Sequence, residues 1–202
     1  HTVIVGGISD WNIMTEDANI TPLIQLLPDT IINQIAAGEV VQRPASVVKE
    51  LIDNAIDAGA DHISIVVEQA GRTLIQVTDN GSGMSQEDIE RCFQRHATSK
   101  IHSLEDLYSI RTMGFRGEAM SSIASVAQVV AKSKLHDADS GWQLTITGGE
   151  VEGKTPVATS NGTQITVKNL FFNIPARRQF LKTDATEFRH ILRTVQHAAL
   201  SH

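Results

Sequence analysis

Residues 44–60 read PASVVKELIDNAIDAGA, and the predicted fold is built around this segment. Proline is favoured in the first turn of a helix and glycine just beyond its end, so Pro44 and Gly59 predict the bounds of one helix. Apolar side chains recur between them at three- and four-residue spacing: Val48, Leu51, Ala55 and Ile56. This spacing predicts an apolar stripe that packs on a core.

The same helix carries a second row of side chains, which is polar. Its members lie at positions i, i+3, i+4 and i+7: Glu50, Asp53, Asn54 and Asp57. Side chains at that spacing share one helix face. Taken alone, such a row is more typical of a solvated surface than of a binding site, so its interpretation depends on the rest of the chain.

The flanking sequence predicts further helices and strands. Before residue 44, Pro28 predicts the start of a short helix and Gly38 its end. The β-rich runs at 62–69 and 73–79 predict a hairpin. Capping boxes at 85–88 and 103–106 each predict a helix start. Small residues at 117–127 predict another helix, and β-type runs follow at 128–134, 142–148 and 163–170.

A last helix is predicted near the end of the chain, with one apolar side made of Phe188, Ile191, Leu192, Val195 and Ala199. Helices and hairpins in this order predict an α+β fold. We expect a two-layer sandwich in which helices cover one face of a mixed, mostly antiparallel sheet.

Bulk properties exclude several classes of protein. A chain of 202 residues with 41% hydrophobic and 20% charged residues is typical of one or two globular domains. A formal net charge of −6 argues against a dedicated nucleic-acid binder. The single cysteine, Cys92, excludes disulfides and a cysteine-rich zinc site. No apolar run approaches the ~20 residues of a membrane helix, so we expect no membrane contact and a cytoplasmic location.

Residues 148–155, GGEVEGKT, match the phosphate-loop pattern letter for letter. That pattern also requires a helix that begins at the Lys-Thr pair. Pro156 follows Thr155 directly and disfavours the helical conformation there. The match therefore predicts a hairpin turn and no phosphate loop.

A dispersed set of polar segments is a stronger indication of a nucleotide site. Asp79-Asn80-Gly81-Ser82-Gly83 follows a predicted strand, and its glycines permit a tight turn that a ligand can approach. The basic, hydroxyl-rich run RHATSK follows at 95–100. The run GFRGEA at 114–119 then puts glycines at a helix start, where free N–H groups favour phosphate. Each of these three segments is weak evidence by itself. Together with the polar row on the helix at 44–60, and in this order along the chain, they are strong evidence for a nucleotide site.

With these segments in hand, the chain resembles the MutL family of DNA mismatch repair proteins, of bacterial type. The strings that carry the resemblance are NQIAAGEVVQRPASVVKELIDNAIDAGA, DNGSGM, RHATSK, GFRGEAM and NLFFNIPARRQFLK. It extends from about residue 24 to about residue 199. It is more specific than the wider ATPase group shared with gyrase B, Hsp90 and histidine kinases. Asp53, Met120 and Ser121 depart from the residues usual in the family.

The resemblance implies a Bergerat-type ATP-binding fold over residues 23–202. Residues 1–22 show no convincing periodicity, which predicts a disordered or non-native extension. It implies that Glu50 is the general base for hydrolysis and that Asn54 is the protein ligand of Mg²⁺. Asp79 would bind the adenine amine, with support from Thr163, while Gly81 and Gly83 let the base approach. The lid around the phosphates would comprise Thr98, Ser99, Lys100, Gly114, Phe115, Arg116 and Gly117. His96 is expected to have a structural or lid role, and Arg177 and Arg178 to form a structural or DNA-facing pair.

The resemblance also implies a function as a switch. ATP would close the lid and bring two copies together as a homodimer, coupling mismatch recognition by a MutS-type partner to strand incision on DNA. MutL proteins carry a second, transducer domain and a C-terminal dimerisation domain, neither of which is expected within these residues, so hydrolysis by this chain alone should be weak. The alternatives are a chaperone- or topoisomerase-type domain with the same pocket, and a module that binds nucleotide without turnover.

Overall fold

A computed structural model describes residues 25–95, 97 and 117–202. Six strands form one sheet: β1 (Ile63–Glu68), β2 (Leu74–Asp79), β3 (Gln128–Lys134), β4 (Gly141–Thr147), β5 (Glu150–Val157) and β6 (Gly162–Lys168). Their order across the sheet is β1-β2-β6-β3-β4-β5. All five pairings between these strands are antiparallel, where the sequence had allowed for a mixed sheet.

Six α-helices lie within the described residues: α1 (Asp29–Val40), α2 (Pro44–Asp57), α3 (Asp88–Arg91), α4 (Ala119–Ser125), α5 (Pro175–Phe180) and α6 (Asp184–Ser201). Helix α2 packs on strand β2 and on α6, and α1 packs on α4. The hydrophobic core is one cluster shared by these helices and one face of the sheet. The α+β two-layer architecture is therefore confirmed.

The predicted bounds of α2 are also confirmed. The helix begins at Pro44, and Gly59 follows its end with a φ of +74°. Gly59 donates its N–H to Ile56 O at 2.9 Å and Ala60 donates to Ala55 O at 3.1 Å. This pair of bonds is the Schellman motif, which satisfies carbonyl groups that a helix end otherwise leaves without a partner. Val48, Leu51 and Ala55 of the predicted stripe are buried.

The predicted end of α1 was wrong. The helix continues through Gly38 to Val40. A Cβ atom on Gly38 would lie 2.5 Å from Nη2 of Arg177, so the glycine makes room for that side chain. Arg177 donates to Gly38 O at 2.8 Å and to Val41 O at 3.4 Å, and its guanidinium lies 5.3 Å from the centre of the Phe171 ring. Arg177 therefore has a structural role, the first of the two alternatives predicted for it.

The apolar side of α6 is buried only in part. Ile191 is buried and Val195 packs against the core, but Phe188 and Leu192 remain 48% and 45% exposed. Asp88 donates its N–H to Ser85 Oγ at 3.1 Å, the bond expected of the predicted capping box, although α3 itself begins only at Asp88, three residues after Ser85. The second predicted capping box, at 103–106, lies outside the described residues, as does the predicted extension at 1–22.

The phosphate-loop look-alike is a β-hairpin. Gly148 and Gly149, both with positive φ, make the turn between β4 and β5, and the rest of the string lies in β5. The sequence had not predicted this strand. Lys154 Nζ lies 2.6 Å from Glu90 Oε2 in an ion pair with α3. The lysine is thus bound to a carboxylate, and no helix begins beside it.

Candidate functional site

The polar row on α2 divides into two kinds of side chain. Lys49 Nζ lies 2.5 Å from Asp53 Oδ2, and this hydrogen bond raises the pKa of Lys49. Asp53 is thereby engaged on the surface of the helix. Glu50, Asp53 and Asn54 are all partly buried, whereas Asp57 is exposed. Asp53 differs from Glu50 and Asn54 in that its carboxylate is paired with Lys49.

Asp79 ends strand β2 and is held by two backbone groups. Its Oδ1 accepts from Gly81 N at 2.9 Å and from Thr163 N at 3.3 Å. Burial raises the pKa of the Asp79 carboxyl, and these two hydrogen bonds oppose that rise only in part. A desolvated carboxylate with an incomplete set of donors gains from a further donor supplied by a ligand.

The turn after Asp79 is fastened to the end of α2. Ser82 donates its N–H to Ala58 O at 2.9 Å. Asn54 precedes Ala58 by one helical turn and Glu50 by two, or roughly 6 and 12 Å along the axis. A backbone hydrogen bond therefore connects the turn that follows the Asp79 carboxylate to the helix that carries Asn54 and Glu50.

The glycines of this turn lie against backbone carbonyl groups of the protein itself. A Cβ on Gly81 would lie 2.8 Å from Ala58 O, and one on Gly83, where φ is +72°, would lie 2.1 Å from Lys134 O. The approach of a ligand, which the glycines predict, stays a prediction. The structure adds a second reason for glycine, because neighbouring carbonyl groups close both positions to a side chain.

Sequence analysis missed Ser133, which supports the turn from β3. Its fully buried hydroxyl accepts from Met84 N at 2.8 Å, donates to Gly162 O at 3.0 Å and lies 2.8 Å from Thr163 Oγ1. Strand alternation puts Ser133 on the same face as Val129 and Ala131, which face the core. A hydroxyl at an apolar position of a strand was the signal that could have identified it.

His136 also braces the turn and was also missed. Its Nε2 lies 3.1 Å from Gly81 O, and its Nδ1 lies 3.3 Å from Asn161 Nδ2. A carbonyl can only accept, so Nε2 carries the proton in this contact and Nδ1 accepts from the amide. Asn80, in the middle of the turn, instead accepts from the backbone N–H groups of Asp61 and His62.

Little of the predicted lid falls within the described residues. Gly117 has a φ of +61°, and a Cβ there would lie 2.7 Å from Ala97 O, so the two ends of the intervening segment approach each other closely. The other predicted lid residues lie outside the described residues: His96, Thr98, Ser99, Lys100, Gly114, Phe115 and Arg116.

Two cavities of about 260 and 240 Å³ lie at α5, away from this turn. The first is lined by residues that include Arg43, Arg177 and Glu187, and the second by residues that include Ile31 and Ile35. Neither contains a residue of the polar row or of the Asp79 turn. The partly desolvated carboxylate at Asp79 has the clearer chemistry for a ligand.

Among the described residues, no cluster of three or more His, Cys, Asp or Glu side chains could hold a metal ion. None of the described helices has the length and apolar character needed to cross a membrane.

Comparison with known proteins identifies the family. Residues 42–171 match the model of the histidine kinase-, DNA gyrase B- and HSP90-like ATPases. The chain is 60% identical over 178 residues to the DNA mismatch repair protein MutL of Porphyromonas gingivalis, covering 88% of this chain and 29% of that protein. It is 58% identical over 174 residues to MutL of Chloroherpeton thalassium, covering 86% and 27%.

Solved structures agree. The Aquifex aeolicus MutL ATPase domain complexed with ADP has a TM-score of 0.62 and 33% identity, covering 80% of this chain and 56% of that one. The N-terminal domain of a DNA repair protein has a TM-score of 0.70 and 33% identity, covering 85% and 50%. The chain spans less than a third of the length of the curated relatives named above. It belongs to the histidine kinase-, DNA gyrase B- and HSP90-like ATPase family, and within that family it groups with the MutL proteins.

Proposed function

We propose that this chain binds and hydrolyses ATP, and that it acts as the nucleotide-dependent switch of a DNA mismatch repair protein. The observation that carries the proposal is the Ser82–Ala58 hydrogen bond, which fastens the Asp79 turn to α2. This bond connects the Asp79 carboxylate, which is suited to bind the nucleobase, to a helix on which Asn54 and then Glu50 lie successively farther from the turn. An extended nucleotide needs that order, with its base at one end and its phosphates at the other.

Asp79 recognises adenine through its exocyclic amine. Both backbone donors to this carboxylate within the described residues bind Oδ1. An amine donor at the other oxygen would offset the desolvation that raises the pKa of the group. Guanine has a carbonyl oxygen at the corresponding position, and two acceptors facing each other repel. The site therefore prefers ATP to GTP.

Asn54 is the protein ligand of Mg²⁺, and Glu50 is the general base. An amide oxygen is a hard ligand, and Mg²⁺ commonly takes few protein oxygens beside phosphate oxygens and water, so a site without a carboxylate cluster fits the ion. When bound, Mg²⁺ supplies positive charge that neutralises the phosphates. Glu50 accepts a proton from the attacking water, a task for which a partly buried carboxylate is suited.

The output of the domain is a change of conformation. We propose that residues 98–100 and 114–117 close over the phosphates and that closure promotes a homodimer. In the full-length protein this cycle would couple a MutS-type recognition protein to incision of DNA. The named relatives are more than three times as long as the matched region.

Calorimetric titration with ATP and GTP in the presence of Mg²⁺ tests the proposal. Asp79→Asn should weaken ATP binding by ~10–150-fold, the equivalent of one charge-assisted hydrogen bond, and should narrow the preference over GTP because an amide can also donate. Asp184→Asn is the matched control. It makes the same chemical change at an exposed carboxylate that pairs with Arg72, close to the opposite end of β2, and it should bind ATP like the parent. If Asp79→Asn keeps the parent's affinity for ATP, the adenine contact lies elsewhere.

A further inference from the structure

Asp79, Thr163 and Ser133 form a row across three neighbouring strands. Thr163 on β6 lies directly opposite Asp79 on β2 and directly opposite Ser133 on β3. Directly opposed residues of antiparallel strands point to the same face of a sheet. Ser133 is buried on the helix-covered face, so all three side chains point to that face, at the end of the sheet where the turn lies.

The hydrogen bonds of Ser133 determine where the proton of Thr163 points. The Ser133 hydroxyl has one proton and three partners. Met84 N–H can only donate to it, and Gly162 O can only accept from it. The single proton of Ser133 therefore goes to Gly162 O at 3.0 Å. The remaining contact, at 2.8 Å between the two hydroxyl groups, then requires Thr163 to be the donor.

This arrangement leaves the Thr163 hydroxyl as an acceptor only. Its one proton is committed to Ser133, and its lone pairs remain for a ligand or a bridging water. The neighbouring Asp79 carboxylate is also an acceptor. Two acceptors side by side select a base edge that presents donors and disfavour one that presents a carbonyl oxygen.

We infer that Ser133 is a positioning residue that selects adenine over guanine by fixing the proton of Thr163. The inference rests on the proposed function, since it requires the base to lie at Asp79. Removal of the Ser133 hydroxyl frees the Thr163 proton, which can then turn outward and donate to a guanine carbonyl. Ser133 does not contact the base itself and acts only through Thr163.

The test compares ATP and GTP affinities of Ser133→Ala with those of the parent 202-residue chain, by calorimetry with Mg²⁺. Ser133→Ala should lose about threefold to tenfold in ATP affinity, the equivalent of one neutral hydrogen bond, and should lose less or none for GTP. The ratio of ATP affinity to GTP affinity is the decisive readout, because a general loss of stability would weaken the binding of both nucleotides alike. Ser125→Ala is the matched control, since it removes another buried serine hydroxyl, which donates to Ser122 O at 2.8 Å.

Several outcomes would overturn the inference. Parent-like binding of both nucleotides by Ser133→Ala would do so, and so would an equal loss for ATP and GTP. If Ser133→Ala does not fold, Ser133→Cys replaces it, because a thiol of similar shape is a much weaker hydrogen-bonding group. The Ser133→Cys variant must then have a smaller ratio of ATP affinity to GTP affinity than the parent. Asp79→Asn distinguishes a failure of the proposed function from a failure of this inference. If Asp79→Asn leaves ATP binding intact, the proposed function fails. If Asp79→Asn loses ATP affinity but Ser133→Ala keeps the parent's ratio of ATP to GTP affinity, only this inference is refuted.

Discussion

Thr163 donates its backbone N–H to Oδ1 of Asp79 across strands β2 and β6, at 3.3 Å. The contact is long for an N–H···O hydrogen bond, and with the 2.9 Å bond from Gly81 it does not fully offset the burial of the carboxylate. The burial of the Asp79 carboxylate, where the nucleobase is proposed to bind, therefore lowers the stability of the protein without nucleotide. Such a cost is common where a side chain is placed for a ligand.

Asp79 should make stability depend on pH in a defined direction. Its pKa is raised above the ordinary value of 3.8, so the folded chain binds the proton more tightly than the unfolded chain. The stability that this group contributes is fully present below pH 3.8 and is lost as the pH rises through the raised pKa. Asp79→Asn does not titrate. The free energy of unfolding of the variant, minus that of the parent, should therefore rise across this window in urea titrations without nucleotide. A difference that stays constant or falls would contradict the assigned direction.

Glu50 and Asn54 should separate binding from turnover. Glu50→Ala should keep ATP affinity and abolish hydrolysis, because it removes the base without removing a ligand contact. Asn54→Ala should lose the Mg²⁺-dependent part of binding. Asp53→Ala is the control on the same helix face, where the residue pairs with Lys49, and it should retain both properties. Calorimetry and phosphate release on the three variants decide the matter, and equal losses of affinity at positions 50 and 54 would refute the assignment.

Lys154 should be irrelevant to nucleotide binding despite its place in a phosphate-loop pattern. Lys154→Ala should leave ATP affinity within about threefold of the parent. It should cost at most about 1 kcal/mol of stability, since the pair with Glu90 is partly exposed. Glu90→Ala should cost a similar amount, and the double variant should cost less than the sum of the two. A tenfold loss of ATP affinity in Lys154→Ala would mean that the nucleotide binds near Lys154, and the site proposed at Asp79 would be wrong.

Gly83 and Gly59 provide a matched pair of left-handed glycines. Both have positive φ, but a Cβ on Gly59 meets nothing within 4 Å, whereas one on Gly83 would lie 2.1 Å from Lys134 O. Gly59→Ala should therefore cost about 1 kcal/mol, the conformational penalty alone. Gly83→Ala should cost about 3 kcal/mol, because backbone must also move. It should weaken ATP binding as well, whereas Gly59→Ala should not. Thermal unfolding of both variants gives the comparison, and equal costs would mean that the clash at Gly83 relaxes freely.

Features that depend only on neighbours along the chain could be predicted from residue types and their spacing. The bounds of α2 follow from Pro44, Gly59 and the apolar spacing between them, all of which act within a few residues. The first hairpin follows from the β-rich runs that form its two strands. Likewise, Pro156 beside Thr155 was enough to reject a phosphate loop. The resemblance to MutL proteins also came from strings of residues, and it needed no knowledge of how they pack.

Tertiary structure decided the features that depend on residues far apart in the chain. Gly38 has the local signature of a helix end, yet the helix continues, because the glycine faces Arg177 from 139 positions away. Gly81 and Gly83 suggested an approach route for a ligand, but their Cβ positions are closed by Ala58 and Lys134. Ser133 looked like one polar residue in a strand until its hydroxyl met Met84, Gly162 and Thr163. Spacing along a chain specifies which face a side chain occupies, but only the packing of distant segments specifies what that side chain meets there.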